Sequence, residues 1–86
     1  MKEFTYVIQD PMGIHARPAG QFVKEAGSFA DTSVTIGRGG KEVDAKRILG
    51  VMSLGVKQGE EVTIKCDGPD EDAAAERLEA FLKENM

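Results

Sequence analysis

The spacing of apolar residues changes period several times along this 86-residue chain, and those changes limit the folds open to it. Phe4, Tyr6 and Ile8 alternate with Thr5, Val7 and Gln9, the period-two pattern of a strand, and "DPMG" ends it. From Ala16 to about Gly27 the apolar positions Ala19, Phe22, Val23 and Ala26 recur at three- and four-residue steps, with Gln21, Lys24 and Glu25 on the other side. That spacing predicts an amphipathic helix, with Gly27 as its stop. Period two returns at Val34 and Ile36, followed by a glycine-rich turn and Lys41 to Val43, which reads as a hairpin. "AKRILGVMSLG" is richer in apolar residues than a solvated helix allows and carries Gly50 at its middle; it reads as a short helix. "EEVTIKC" alternates at Val62, Ile64 and Cys66 as a fourth strand. "GPDEDAAAERLEAFLKENM" then puts Ala74, Leu78, Phe81 and Leu82 on one stripe. Its Gly-Pro opening places Pro69 in a first helical turn, with acids opposing the positive end of the helix dipole.

The resulting order is strand, helix, strand, strand, helix, strand, helix. Four short strands with one apolar face need a covering layer and the helices supply it, so the expected class is α+β, a two-layer sandwich. A chain this short has apolar surface for one core, so residues 1–86 are expected to form a single domain. Cys66 has no partner for an internal disulfide, and no Cys/His cluster suggests zinc, so a reducing compartment, the cytoplasm, is expected. No apolar run approaches membrane-spanning length, so no direct membrane insertion is expected. The net charge of −4 argues against a duplex-binding protein, and the five aromatic residues fall mostly at predicted core positions; no nucleic-acid partner is expected. Charge is unevenly spread, however. Residues 67–86 hold seven acidic side chains against two basic ones, leaving residues 1–66 at +1.

The only histidine, His15, stands immediately before the first predicted helix in "MGIHARPAG". At a helix start the amides of Ala16 and Arg17 have no intrahelical acceptor, so with the dipole they form an anion site. Arg17 adds a guanidinium able to grip two oxygens of a phosphoryl group. Pro18 removes a donor where none is needed, yet biases Arg17 away from helical geometry, a local conflict of the kind found at functional sites. An imidazole in this place is a nucleophile, and Arg17 with the helix end is expected to favour its neutral form. There is no nucleotide-binding glycine loop and no metal-binding carboxylate set. The chain is thus suited to carry a phosphoryl group but not to take one from ATP unaided. Spacing alone leaves a solvated loop histidine equally open, and also a binding module that captures an anion without covalent chemistry.

"GIHARPAG", "QFVKEA" and "KRILGVMSLGVKQGEEVTI" together resemble HPr, the histidine-containing phosphocarrier family of the bacterial phosphoenolpyruvate-dependent sugar phosphotransferase system, over essentially the whole chain. The resemblance implies an open-faced sandwich of four antiparallel strands and three helices, in the order βαββαβα. It implies that His15 accepts a phosphoryl group on Nδ1 from enzyme I and passes it to IIA domains of sugar permeases, with Arg17 contacting the phosphoryl oxygens. It implies a carrier rather than an enzyme, with no cofactor and no metal. It also implies a partner-binding surface of Gly20, Lys24, Lys46, Arg47, Ile48, Leu49 and Met52, which would account for the apolar character of the short helix. A monomer is expected.

Two positions depart from the family. Many Gram-positive relatives carry a regulatory serine where this chain has Arg47, so control by HPr kinase at that site is not expected. Met12 stands where many relatives have Ser, Thr or Asn near the imidazole. Related readings with the same histidine are a regulator, or a carrier dedicated to a nitrogen or dihydroxyacetone branch.

Overall fold

Strand β1, Lys2–Val7, opens a computed structural model that describes residues 1–86. It is followed by α1 (Ala16–Gly27), β2 (Ser33–Arg38), β3 (Lys41–Asp44), α2 (Ile48–Ser53), β4 (Glu61–Asp67) and α3 (Glu71–Asn85). The strands form one sheet in the order β1-β4-β2-β3, every neighbouring pair antiparallel. The α+β open-faced sandwich anticipated from the sequence is the observed architecture.

The register explains the layering. Phe4 lies opposite Ile64, Ile64 opposite Ile36, and Ile36 opposite Val43, so one row of apolar side chains crosses all four strands on a single face. A second row runs through Tyr6 and Val62. Successive strand residues point to opposite faces, so Glu3, Thr5, Thr63 and Lys65 are consigned to the uncovered side. Onto the apolar side pack Ala19, Phe22 and Ala26 of α1, Val51 of α2, and Ala74, Leu78 and Leu82 of α3. Phe22 is fully buried, with its ring centroid 6.1 Å from that of Phe81. Removing a ring of that size from a closed core costs about 3–5 kcal/mol.

Two local expectations are corrected. Pro69 precedes α3 instead of sitting in its first turn, because Asp70 is the cap and Glu71 the first helical residue. The amide of Asp70 donates to Oγ1 of the buried Thr32, a contact from the β2 approach that starts the helix. Arg17 is helical despite preceding Pro18: α1 begins at Ala16, and the first intrahelical-type bond runs from Ala19 to the His15 carbonyl, so Pro18 costs no bond. Phe81 packs against the core beside Ala74, Leu78 and Leu82 as expected, though it is only half-buried. No helix is long and apolar enough to cross a membrane.

Candidate functional site

Residues 8–15 carry the chain from β1 to α1, and their path is fixed by backbone contacts. Ile8 exchanges bonds with the 59–60 turn, its amide donating to Glu60 and its carbonyl accepting from Gly59. Gly13 has a φ of +67° and donates to the Asp10 carbonyl 2.9 Å away. A side chain at Gly13 would collide with the Val56 carbonyl, the same oxygen that accepts the Ile14 amide at 3.0 Å. Glycine is therefore required at 13 by both dihedral and space.

His15 is the N-cap residue of α1, extended at φ −114° and ψ 174°, and its side chain does not cap the helix. The amides of Ala16 and Arg17 find no acceptor within the chain, and α1 has no acid in its first turn. Nε2 of His15 lies 3.3 Å from Oδ2 of Asp10, while Nδ1 makes no hydrogen bond. Arg17 is exposed and makes no ion pair. Together with Asp10, Pro18, Gln21 and Asn85, these two residues line a polar hollow of about 300 Å³. The arrangement offers an unpartnered ring nitrogen, two free amides and a free guanidinium, which suits an anion bound beside a nucleophile.

Asp10, Gln21 and Asn85 join this hollow although they lie outside the residues expected from the helix-start motif. Asp10 is the charged group that the ring touches; the expectation built on Arg17 and the helix end alone left it out. Its other oxygen accepts the Met12 amide at 2.8 Å, and that bond first, with the His15 contact after it, holds the Asp10 carboxyl below the usual carboxylate range. An aspartate starting a Pro-Met-Gly turn was the available signal, because such side chains bond the amide two residues on. Gln21 follows Arg17 by one helical turn. Asn85 carries no local signal at all, since it comes from the far end of α3.

The residues expected to meet partners divide into two groups. Ile48, Leu49 and Met52 are exposed, Leu49 at 82%, and Ile48 lies over Gly20, where an added Cβ would stand 3.5 Å from Cδ1. Val51 and Leu54 are buried as expected. Lys24 is exposed, and so is Arg47, which approaches Asp44 at 3.8 Å. Lys46 is half-buried and differs from these exposed residues. Its ammonium donates to the Phe29 carbonyl at 2.8 Å and the Ala30 carbonyl at 3.5 Å, where it closes the loop between α1 and β2. The Phe29 carbonyl also accepts the Thr32 amide at 3.1 Å, so the ammonium is its second donor, and both carbonyls compete with any partner for the charge.

The family model described as "PTS HPr component phosphorylation site" matches residues 2–84. The chain belongs to the HPr family. A phosphocarrier protein HPr of Mycoplasma genitalium is 42% identical over 85 residues, which span 99% of this chain and 97% of that relative. The crystal structure of an HPr from Thermoanaerobacter tengcongensis is similar with a TM-score of 0.92 at 40% identity, covering 98% of this chain and 93% of that one. An HPr dimer from the same organism gives a TM-score of 0.77 at 40% identity, with 98% and 95% coverage. HPr proteins are phosphocarriers of the phosphotransferase system, and the four-stranded, three-helix architecture described above is theirs.

Proposed function

We propose that this HPr chain accepts a phosphoryl group from phospho-enzyme I on Nδ1 of His15 and passes it to IIA domains of sugar permeases, serving carbohydrate uptake in the cytoplasm. One observation carries the reading: the single histidine caps α1 with Nε2 turned to Asp10 and Nδ1 unpartnered, next to two amides without acceptors. The lone pair of Nδ1 attacks phosphorus, and the amides of Ala16 and Arg17 with the Arg17 guanidinium receive the phosphoryl oxygens that water held before. No binding pocket for a sugar is needed, because the carrier hands over only the phosphoryl group.

Docking in this reading uses Gly20, Lys24, Arg47, Ile48, Leu49 and Met52. Exposed Leu49 and Met52 suit several partners in turn, methionine in particular adapting its shape to unlike surfaces. Arg47 has no hydroxyl, so the serine-based control of some relatives does not operate at this position. The carrier acts as a monomer.

The test is intact-mass spectrometry after incubation with enzyme I, magnesium and phosphoenolpyruvate at neutral to alkaline pH, beside a His15→Ala control. One acid-labile phosphoryl group on the wild type alone is the expected result. Equal labelling of the His15→Ala variant sinks the assignment.

A further inference from the structure

We propose that Asp10 is a positioning residue for phosphoryl transfer, holding His15 in the tautomer with its proton on Nε2 and its lone pair on Nδ1. The inference rests on the carrier reading above and adds to it a residue outside the histidine motif.

The two oxygens of the Asp10 carboxylate have separate tasks. Oδ1 accepts the Met12 amide at 2.8 Å, and Oδ2 stands 3.3 Å from His15 Nε2. The backbone of Asp10 is held on both sides as well: its amide donates to the main-chain oxygen of Met86 at 2.9 Å, and its carbonyl accepts from Gly13. The neighbouring Gln9 amide donates to the same Met86 oxygen at 2.6 Å, and the Gln58 side chain donates to the Gln9 carbonyl at 3.1 Å. The carboxylate is thus fixed by the end of α3 and by the turn before β4. Its side chain is 23% exposed and the imidazole 32%, so the pair is partly withdrawn from water. Met12 presents no hydrogen-bonding side chain to the ring, and its amide is already taken by Asp10.

An ionised carboxylate only accepts, so the ring nitrogen facing it is an N–H. A neutral imidazole has one N–H, which leaves the lone pair on Nδ1. In the transfer that pair forms the N–P bond while the bond from phosphorus to the donor breaks, its electrons leaving with the donor. The Nε2 proton stays in place. The ring gains positive charge as the bond forms, and Asp10 is the anion set against it; Arg17 is the only other charged group lining the hollow. When the phosphoryl group passes on, the N–P electrons return to Nδ1. A ring protonated on Nδ1 would have to move that proton before it could react.

The experiment compares ¹⁵N-labelled wild type with Asp10→Asn and Asp10→Ser, both of which keep an oxygen for the Met12 amide and lose the charge. Ring ¹⁵N shifts are read at alkaline pH, where imidazole is neutral, and the rate of phosphorylation by enzyme I is measured on the same samples. The wild type is expected to be mainly the Nε2–H tautomer. Both variants are expected to lose that preference and to accept the phosphoryl group about tenfold more slowly, the scale on which removing a carboxylate that orients a working histidine is felt. Melting curves should show all three proteins fully folded at the assay temperature, the variants melting somewhat lower because the ionised carboxylate no longer accepts the Met12 amide. Variants with the wild-type tautomer ratio and a rate within about twofold overturn the role of Asp10 and leave the carrier reading standing, whereas a wild type that takes no phosphoryl group overturns both.

Discussion

The two long helices begin in opposite ways. At α3 the positive end is answered from within the chain: Glu71 and Asp72 lie in the first turn, and the Asp70 amide donates to Thr32 Oγ1. Glu71 also accepts the Gly68 amide at 3.3 Å and pairs with the amino group of Met1 at 2.9 Å. At α1 the first turn has no acid, the cap residue gives no side-chain bond, and the amides of Ala16 and Arg17 are left over. Every helix start presents the same unpaired N–H groups and the same partial charge. One set is used to hold the fold together, and the other finds no partner within the chain.

The strongest way to break this contrast is to make α1 begin like α3. Arg17→Glu puts an acid in the first turn, removes the guanidinium and repels a phosphoryl group. Phosphoryl acceptance, followed by mass spectrometry, is expected to fall about a hundredfold or more. Stability in urea should hold or rise by a few tenths of a kcal/mol, about what an acid gains at an exposed helix start. Loss of the fold in this variant would mean that the α1 terminus is structural after all.

The reverse change is Thr32→Val, which keeps shape but leaves the Asp70 amide without its acceptor. An expected cost of about 1–3 kcal/mol in urea unfolding, with phosphoryl transfer unchanged, would sharpen the division of labour between the two ends. A smaller effect is expected from Lys46→Met. The Ala30 carbonyl loses its ammonium donor and the Phe29 carbonyl keeps only the Thr32 amide, at a cost of about 0.5–1.5 kcal/mol, while affinity for enzyme I by calorimetry stays at the wild-type level. A weakened complex with unaltered stability would return Lys46 to the partner surface.

The least effect is a pH dependence. The Glu71 carboxyl is held below its ordinary value near 4.5, chiefly by its bond to the Met1 amino group and then by the Gly68 amide. A carboxyl more acidic in the folded state contributes stability that is complete above its unfolded value and lost as pH falls through the folded one. Glu71→Gln should therefore be less stable than wild type at pH 7, the gap closing on acidification below about pH 4.5. A gap that persists to low pH would assign the contribution of Glu71 to something other than its charge.

Much of the fold was legible because strand and helix periods are properties of a few consecutive residues. Phe4 and Tyr6, Val34 and Ile36, and Val62 and Ile64 alternate within their own strands, and their inward facing needed no knowledge of what covers them. His15 and Arg17 were legible for the same reason, since cap, free amides and guanidinium all belong to one turn of helix. The bonds of Lys46 were not legible, because its acceptors lie sixteen and seventeen residues away, in a loop whose course the local pattern does not specify. Pro69 was expected inside the first turn but stands before the cap, because the bond that starts α3 comes from Thr32, across 38 residues.

The sequence by itself determined the alternation of strands and helices, the start of α1 behind His15 and the apolar set that closes the core, because backbone geometry turns residue spacing into faces. Only the tertiary structure decided that Asp10 meets the imidazole on Nε2, that Asn85 joins the same hollow, and that Met86 anchors the turn carrying Asp10. Those contacts depend on the end of α3 returning to the end of β1, and the partner of a polar group is chosen by whichever element folding brings within about 3 Å of it.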